Sequence, residues 1–409
     1  MKPTLNLTVG VVALLVAAAA LALGVVAVTR NDGRDMNSTA MNHMMGGSGS
    51  MSSGSMNSMS AHMAPAPQAG VADAIRSRGG QLLAHSVDGD TWVFNLIAKP
   101  VKWQILPGSR VTAWTYNGTV PGPEIRVPYG QKVRVVVKNA LPEPTSVHWH
   151  GIAVPNAMDG VPGVTQKPIG VGKTFAYSFR AIPAGGGAGG TFMYHSHHDE
   201  DRQVGLGLSA PLVIVPKTQT TQYAVDRTLM LGEWNFDPES GATRPPMDME
   251  GVLPNYFTIN GKSYPATDPI NVKPGDRVLL RLVGAGQFIH PMHLHGTAFT
   301  VLAKDGHAVE MPYKADVLDV APGERYDVAF TAPKGQWVLH CHIGHHLTNN
   351  GDGPGGLLMI VNATGKPLAS TPQPSDTNSG VQSSHDSMSG MSGMNDMGGM
   401  DMGGTNTNP

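Results

Sequence analysis

The sequence predicts an all-β chain of two consecutive Greek-key β-sandwich domains, with an apolar N-terminal segment and Met-rich tails outside them. Two apolar runs, Lys132–Val137 and Arg277–Leu282, each follow a turn sequence, Pro128–Gly130 and Pro274–Asp276. Short runs of this kind, bounded by Pro and Gly, are typical of strands in antiparallel sandwiches. A second observation is duplication, because two His-x-His pairs about 45 residues apart occur once in each half of the core.

Composition divides the 409 residues into five predicted segments. A membrane anchor or signal segment at 1–30 is followed by a disordered Met-rich linker at 31–80. Two sandwich domains span 81–217 and 218–368, and a disordered Met-rich tail spans 369–409. Each predicted domain is of an ordinary size for a compact unit. The linker between the two domains is expected near Pro216–Thr220.

The N-terminal segment contains an uncharged run, Leu7–Val28, which is long enough to cross a bilayer as a helix at about 1.5 Å per residue. This run is longer than the apolar region of a signal peptide, although Ala20–Ala22 resembles a cleavage site. We therefore expect either an uncleaved anchor or a cleaved signal. Both place the core outside the cytoplasm, at the cell surface, in the periplasm or in the medium.

The charge balance argues against a nucleic-acid-binding role. The chain has 28 Lys and Arg against 30 Asp and Glu, so its net charge is −2. Binding to phosphate backbones depends on a concentration of positive charge. We expect no nucleic-acid partner.

The single cysteine, Cys341, lies in the segment His340–His346, which reads His-Cys-His-Ile-Gly-His-His. Side chains alternate along a strand, so Cys341 should face one way while His340 and His342 face the other. One strand would then serve two metal sites, and His346 could turn back to the thiolate. Cys with His ligands and a weak axial ligand is typical of blue-copper electron-transfer sites.

The chain has four His-x-His pairs, which are His148/His150, His195/His197, His293/His295 and His340/His342. About one such pair is expected from 17 randomly placed histidines. The excess indicates a cluster of metal ligands. His198 and His345 adjoin predicted ligands, and strand alternation predicts that both lie outside the ligand set.

These motifs, His-Trp-His-Gly, His-Ser-His, His-Pro-x-His-Leu-His-Gly and His-Cys-His-Ile-x-x-His, resemble those of the multicopper oxidases, the laccase-like family. The resemblance runs from Val111 to Val361 and includes the segments Asn117–Pro123, Met158–Gly163 and Ala321–Glu324. It is closest to the two-domain, small-laccase type with type 1 copper in the second domain. It implies two consecutive cupredoxin domains and an enzyme that couples one-electron oxidations to four-electron reduction of dioxygen to water.

The resemblance implies four copper ions per functional unit. A type 1 copper would bind His290, Cys341 and His346. A type 2 copper would bind His148 and His293, and a type 3 pair would bind His150, His195, His197, His295, His340 and His342. The first domain has Ser196 where the second has Cys341, so we expect no type 1 copper there.

The resemblance also implies catalytic roles. Electrons would pass from Cys341 through its backbone to His340 and His342, and Asp159 would donate protons near the trinuclear cluster. As an alternative, Asp159 is a turn residue before a glycine.

The chain departs from the family pattern around the last predicted type 1 ligand. A longer loop moves the axial position to Leu357, with Met359 as the alternative; leucine would raise the copper potential and methionine would lower it. Leu347 stands where the family often has an acidic residue. A second proton donor is therefore expected elsewhere, at Asp199 or Glu200.

The predicted cluster needs two motifs from each domain, and only two domains are found. In the two-domain relatives, domain 1 of one subunit meets domain 2 of the next. A closed ring of three copies satisfies this requirement, so we expect a homotrimer with its clusters at the subunit interfaces.

The Met-rich tails, at Met36–Met63 with His43 and His62 and at Met388–Met402 near His385, favour Cu(I) as the electron donor, because thioethers are soft ligands. We therefore predict Cu(I) oxidation and a role in copper tolerance. The alternatives are laccase-like oxidation of phenols and oxidation of Mn(II) or Fe(II), the last with Met247–Glu250 as a metal-binding segment. A copper nitrite reductase and a non-catalytic copper carrier are less favoured, since neither needs every predicted ligand.

Overall fold

The computed structural model describes residues 63–218, 221–246 and 253–370, and this part of the chain is almost entirely β-structure. The first domain contains β1 His85–Asp88, β2 Thr91–Leu106, β3 Ser109–Tyr116, β4 Ile125–Pro128, β5 Lys132–Asn139, β6 His148–His150, β7 Thr174–Arg180, β8 Gly190–His195 and β9 Ser209–Val215. Its short helices are a 3-10 turn, Asn156–Met158, and α1, Glu200–Gly205.

The second domain contains β10 Val225–Phe236, β11 Thr243–Arg244, β12 Tyr256–Ile259, β13 Ile270–Asn271, β14 Arg277–Gly284, β15 His290–Leu294, β16 Phe299–Lys304, β17 His307–Ala315, β18 Val317–Val320, β19 Arg325–Thr331, β20 Gly335–Cys341 and β21 Leu358–Ala363. A 3-10 turn spans Gly344–Leu347. The predicted all-β class is confirmed. The expected linker near Pro216–Thr220 lies between β9 and β10, and residues 219 and 220 are outside the described part.

Each domain is built from two sheets that enclose an apolar core. In domain 1, β1-β2-β5-β7 with β3 on β2 faces β4-β9-β8-β6. Strand β5 has the alternation of a sheet with one buried face, because Val133, Val135 and Val137 are buried while Arg134 and Lys138 are exposed. The wholly buried aromatic residues Trp114, Trp149, Tyr177 and Phe192 fill the space between the sheets.

Domain 2 repeats this plan with a seven-stranded sheet and a five-stranded sheet. The first has the order β11-β10-β14-β19-β16-β17 with β12 on β10, and the second has the order β13-β21-β20-β15-β18. Strands β15 and β20 are central neighbours in the smaller sheet, where Met292 pairs with Cys341 and His293 with His340. This pairing brings two of the predicted ligand motifs side by side.

The two domains are joined by an apolar cluster and by a buried group of charges. Trp103 and Ile105 from β2 pack in one cluster with Trp234 and Phe236 from β10. Arg281 lies between Asp226, at 2.6 Å, and Asp327, at 3.0 Å, and Arg281 also donates a hydrogen bond to Thr191 of domain 1 at 3.0 Å. These contacts fix the orientation of one domain against the other.

Residues 63–80, expected to belong to a disordered linker, are ordered. Ala66 is buried in the core of domain 1, and its N–H donates to Thr243 O at 2.8 Å. Further along, the Ala74 N–H donates to Lys102 O at 3.0 Å. Amino-acid composition did not predict that this segment is ordered, because the segment packs against and hydrogen-bonds to strands that are distant in the sequence.

Several predicted features lie outside the described residues. They are the apolar segment Leu7–Val28, the methionines from Met36 to Met59, those from Met388 to Met402, and Met247–Glu250. Over residues 63–218, 221–246 and 253–370, no helix has the length and apolar character that crossing a membrane requires.

Candidate metal centres

The first candidate centre is a buried group of one thiol and two imidazoles in domain 2. Cys341 ends β20, His290 begins β15, and the 3-10 turn after β20 returns His346 to the thiol. The Nδ1 atoms of His290 and His346 are 3.1 Å apart, and Cys341 Sγ lies 3.4 Å from His346 Nδ1. The three ligand atoms thus converge on one point, as binding of a soft or borderline transition metal requires.

The predicted axial position is adjacent to this group. The Cys341 N–H donates to Leu357 O at 3.0 Å, and the Leu357 N–H donates to His346 O at 2.9 Å. Met359 is opposite Leu339, two residues further along each strand. The backbone contacts favour Leu357 over Met359 as the residue beside the centre, and both side chains are wholly buried.

Domain 1 carries a second histidine group, at the paired ends of β6 and β8. His148 is opposite His195 in the sheet, and His150 Nδ1 lies 3.4 Å from His195 Nε2. His197 joins them through a ring contact with His148, at 5.5 Å between centroids. The Nδ1 atoms of His148 and His195 are each 2.8 Å from a backbone oxygen, which leaves their Nε2 atoms available for a metal.

Domain 2 carries the corresponding group on its smaller sheet. His295 Nε2 and His340 Nε2 are 3.0 Å apart, and the ring of His293 contacts those of His295, His340 and His342. His293 and His340 also direct Nδ1 at backbone oxygens, at 2.8 and 2.7 Å. His295 and His342 are exposed, so this group faces the surface of the chain.

Burial keeps several of these ligands in the form that binds a metal. Desolvation lowers the pKa of His150 to about 4 and the pKa values of His195 and His346 to about 3. The imidazoles are therefore neutral at neutral pH. Desolvation also raises the pKa of the Cys341 thiol to about 11, so a metal must displace its proton.

This burial predicts that the copper-free protein loses stability in acid. In the unfolded chain His195 titrates near 6.5, so between pH 6.5 and 3 the unfolded state binds more protons than the folded state. The free energy of unfolding should therefore fall as pH falls through this window, by up to about 5 kcal/mol from His195. Urea denaturation at several pH values measures the slope. A His195→Gln variant should show a shallower slope, and an unchanged slope would contradict the assignment.

Acidic side chains lie beside the domain 1 group. Asp159 Oδ1 is 3.4 Å from His148 Nδ1, in addition to the bond from that nitrogen to the Asp159 backbone oxygen. Of the two residues considered for a second proton donor, Glu200 faces the group: its carboxylate is 3.4 Å from His195 Nδ1 and 3.7 Å from His197 Nε2. Asp199 is the N-cap residue of α1.

The two histidines predicted to lie outside the ligand set have other surroundings. His345 is exposed, and its Nε2 is 3.2 Å from Pro254 O. The His198 N–H donates to Ser196 Oγ at 3.2 Å. Ser196 is the domain 1 counterpart of Cys341. Its hydroxyl donates a hydrogen bond to Gln203 Oε1 at 2.7 Å, so a buried polar pair occupies the position that the thiol has in domain 2.

Glu233 is a residue of this site that the sequence motifs did not indicate. Its carboxylate is 2.6 Å from His290 Nε2, and neither side chain is exposed to solvent. It lies on β10, 57 residues before His290, in a run without any metal-ligand spacing. Its sequence signal is weak: an acidic residue between the apolar run Leu229–Leu231 and Trp234, in a strand that also contains Asp226 and Arg227.

Two β-sandwich domains with one buried Cys-His-His group and two further groups of histidines define a copper-binding redox protein. Models of the multicopper oxidase family match residues 98–219 and 239–351. The chain belongs to the multicopper oxidase family, and this membership implies copper as its cofactor.

The chain is similar to curated and solved members of this family. It is 34% identical over 261 residues to Laccase-1 of Botryotinia fuckeliana, covering 58% of this chain and 44% of the relative. It is 28% identical over 270 residues to Copper resistance protein A of Pseudomonas syringae pv. tomato, covering 54% and 43%. The solved Blue Copper Oxidase from Nitrosomonas europaea is 36% identical with a TM-score of 0.61, covering 66% of this chain and 85% of that one. The chain thus spans about half the length of the curated relatives it matches.

Proposed function

We propose that this protein is an exported oxidase that couples one-electron oxidation of Cu(I) to four-electron reduction of dioxygen to water, and that it confers copper tolerance. The observation that carries the proposal is the end of β20. Cys341 is buried with His290 and His346, while its chain neighbours His340 and His342 point into the other histidine group. One short peptide therefore connects an electron-accepting centre with a candidate dioxygen-reducing centre.

The donor atoms fit copper, the cofactor that family membership implies. We assign a type 1 site to His290, Cys341 and His346 with Leu357 beside it. We assign a type 2 site to His148 and His293 and a type 3 pair to His150, His195, His197, His295, His340 and His342. Bound copper would supply one-electron transfer at the first site and dioxygen reduction at the others.

The protein residues would position these ligands and supply protons. Backbone oxygens at Asp159, Ser196, Asp316 and Cys341 hold the Nδ1 side of four imidazoles and fix the ring orientations. The carboxyl groups of Asp159 and Glu200 lie close enough to these imidazoles to hold protons where dioxygen would be reduced.

We propose that the cluster forms between chains, in a homotrimer. Over the described residues, no group of three ligand atoms within 4.8 Å of one another draws on both domains. Each half has exposed apolar neighbours: Val317 pairs with His293 and is 37% exposed, and Val164, five residues after Asp159, is 80% exposed. Docking domain 1 of one copy on domain 2 of the next would cover these side chains and complete the ligand set.

Two features support Cu(I) as the donor. The Met-rich segments offer thioethers, which prefer Cu(I). The similarity to a protein named for copper resistance also supports Cu(I) as the donor.

The second candidate function, oxidation of phenols, is supported by the similarity to a laccase. The uncharged run Leu7–Val28 supports export and a membrane anchor.

Oxygen uptake by the copper-loaded protein distinguishes the two donors. We expect rapid uptake with chelated Cu(I), and we expect replacement of the tail methionines by leucine to lower kcat/KM for Cu(I) about tenfold, because tethered ligands raise the local Cu(I) concentration. The variant changes Met36, Met41, Met44, Met45, Met51, Met56, Met59, Met388, Met391, Met394, Met397, Met400 and Met402.

A phenol is the internal control, since its oxidation should be the same in the wild type and in the leucine variant. Uptake with the phenol alone would indicate a laccase. Absence of uptake with either donor would contradict the oxidase proposal and favour a copper carrier.

A further inference from the structure

Glu233 is a buried carboxylate in direct contact with a predicted type 1 ligand. Its Oε1 accepts a hydrogen bond from His290 Nε2 at 2.6 Å, and its Oε2 accepts one from the Gln287 N–H at 3.0 Å. Both Glu233 and His290 are wholly buried. Among the described residues, no lysine or arginine forms an ion pair with Glu233.

The surrounding backbone is shaped to admit this carboxylate. A Cβ on Gly286 would lie 1.8 Å from Glu233 Oε2, so no other residue fits at position 286 while Glu233 keeps its place. Glu233 is also opposite Phe257 in the β10–β12 pair, and the Phe257 ring stacks on His346 at 4.2 Å. The same strand pair therefore supports both histidines of the centre.

The contact fixes which nitrogen of His290 faces the metal. An ionised carboxylate only accepts hydrogen bonds, so His290 carries its proton on Nε2. Nδ1 is then unprotonated, and it is the atom that lies 3.1 Å from His346 Nδ1. A carboxylate bound to the far side of a metal-ligating imidazole also makes that imidazole a stronger electron donor.

The charge of Glu233 has a second consequence. Together with the Cys341 thiolate, it balances the two positive charges of Cu(II), whereas with Cu(I) the buried centre carries a net negative charge. An unbalanced charge without water is unfavourable. We propose that Glu233 is a positioning residue that fixes the tautomer of His290 and lowers the potential of the type 1 copper, an inference that rests on the proposed function. Its effect opposes that of Leu357, which raises the potential.

The test compares redox titrations of copper-loaded wild type and Glu233→Gln, followed by the blue absorption. Glutamine has the same shape and its Oε1 can still accept from His290, so this variant removes the charge and retains that contact, while the contact from the Gln287 N–H is lost. At the wild-type midpoint potential, the ratio of reduced to oxidised type 1 copper should be at least about tenfold higher in Glu233→Gln, a rise of about 59 mV. The matched control is Glu239→Gln, at an exposed position in the turn that follows β10, which should leave the midpoint unchanged.

The redox titrations test the role of Glu233 separately from the proposed function. If the wild type titrates as a blue one-electron centre and Glu233→Gln has the same midpoint, the role of Glu233 is overturned and the proposed function stands. A wild type without such a centre overturns both.

If Glu233→Gln fails to fold or to take up copper, Glu233→Asp replaces it. This variant retains the charge and withdraws the carboxylate by one methylene. At the wild-type midpoint potential, its ratio of reduced to oxidised type 1 copper should therefore stay within threefold of the wild-type ratio. A tenfold or larger change in Glu233→Asp would overturn the charge argument.

Discussion

Replacing Cys341 with serine should abolish the blue absorption and lower oxygen uptake with every donor by at least about 1000-fold. A serine hydroxyl stays protonated near neutral pH and is a poor ligand for Cu(I), so the electron-accepting centre loses its only anionic ligand. The variant should also bind one copper fewer per chain. Absorption spectroscopy, copper analysis and an oxygen electrode measure the three effects.

Cys341→Ala is the matched control for this substitution. Cys341 is wholly buried, and the shorter serine side chain would stretch the contacts that Sγ makes with the Ile343 N–H and His346 Nδ1, at a cost of about 1–3 kcal/mol. Alanine lacks both the ligand atom and the hydroxyl, so it should lose the same activity without that penalty. Activity retained in either variant would remove Cys341 from the mechanism, whereas loss in the serine variant alone would indicate a folding defect.

The fold and most of the candidate ligands could be predicted because both follow from short-range patterns. Alternation along a strand separates Cys341 from His340 and His342, and the structure places Cys341 with His290 while both neighbouring histidines contact His293. The same rule places both histidines of each His-x-His pair on one face of the chain. Side chains on a strand alternate with a period of two residues, so the face of each side chain can be read from the sequence without knowledge of tertiary contacts.

The features that could not be predicted depend on contacts between distant segments. Glu233 reaches His290 from another strand, and nothing near it in the sequence signals a ligand. The order of residues 63–80 arises from hydrogen bonds to β2 and to Thr243, which composition does not record. The sequence left the axial position open between Leu357 and Met359, because that choice depends on how a loop of ten residues closes.

The second large effect concerns the division of the cluster between chains. A His195→Ala chain keeps the ligands of domain 2, and a His340→Ala chain keeps those of domain 1. Each variant alone should reduce dioxygen at least about 1000-fold more slowly than wild type while keeping its blue absorption. If the two are dissociated, mixed in equal amounts and reassembled, about a quarter of the interfaces in a closed ring should join two intact halves. Oxygen uptake should then recover to about a quarter of the wild-type rate.

Recovery of activity in the mixture can arise only from a cluster shared by two chains, because every single chain in it carries a defect. His195→Ala mixed with His197→Ala is the control, since both defects lie in domain 1 and no interface can be intact. Light scattering of the active protein should give three times the 43.0 kDa mass of one chain. A fully active monomer, or a reassembled mixture without recovery, would place all ligands of the cluster within one chain and contradict the trimer.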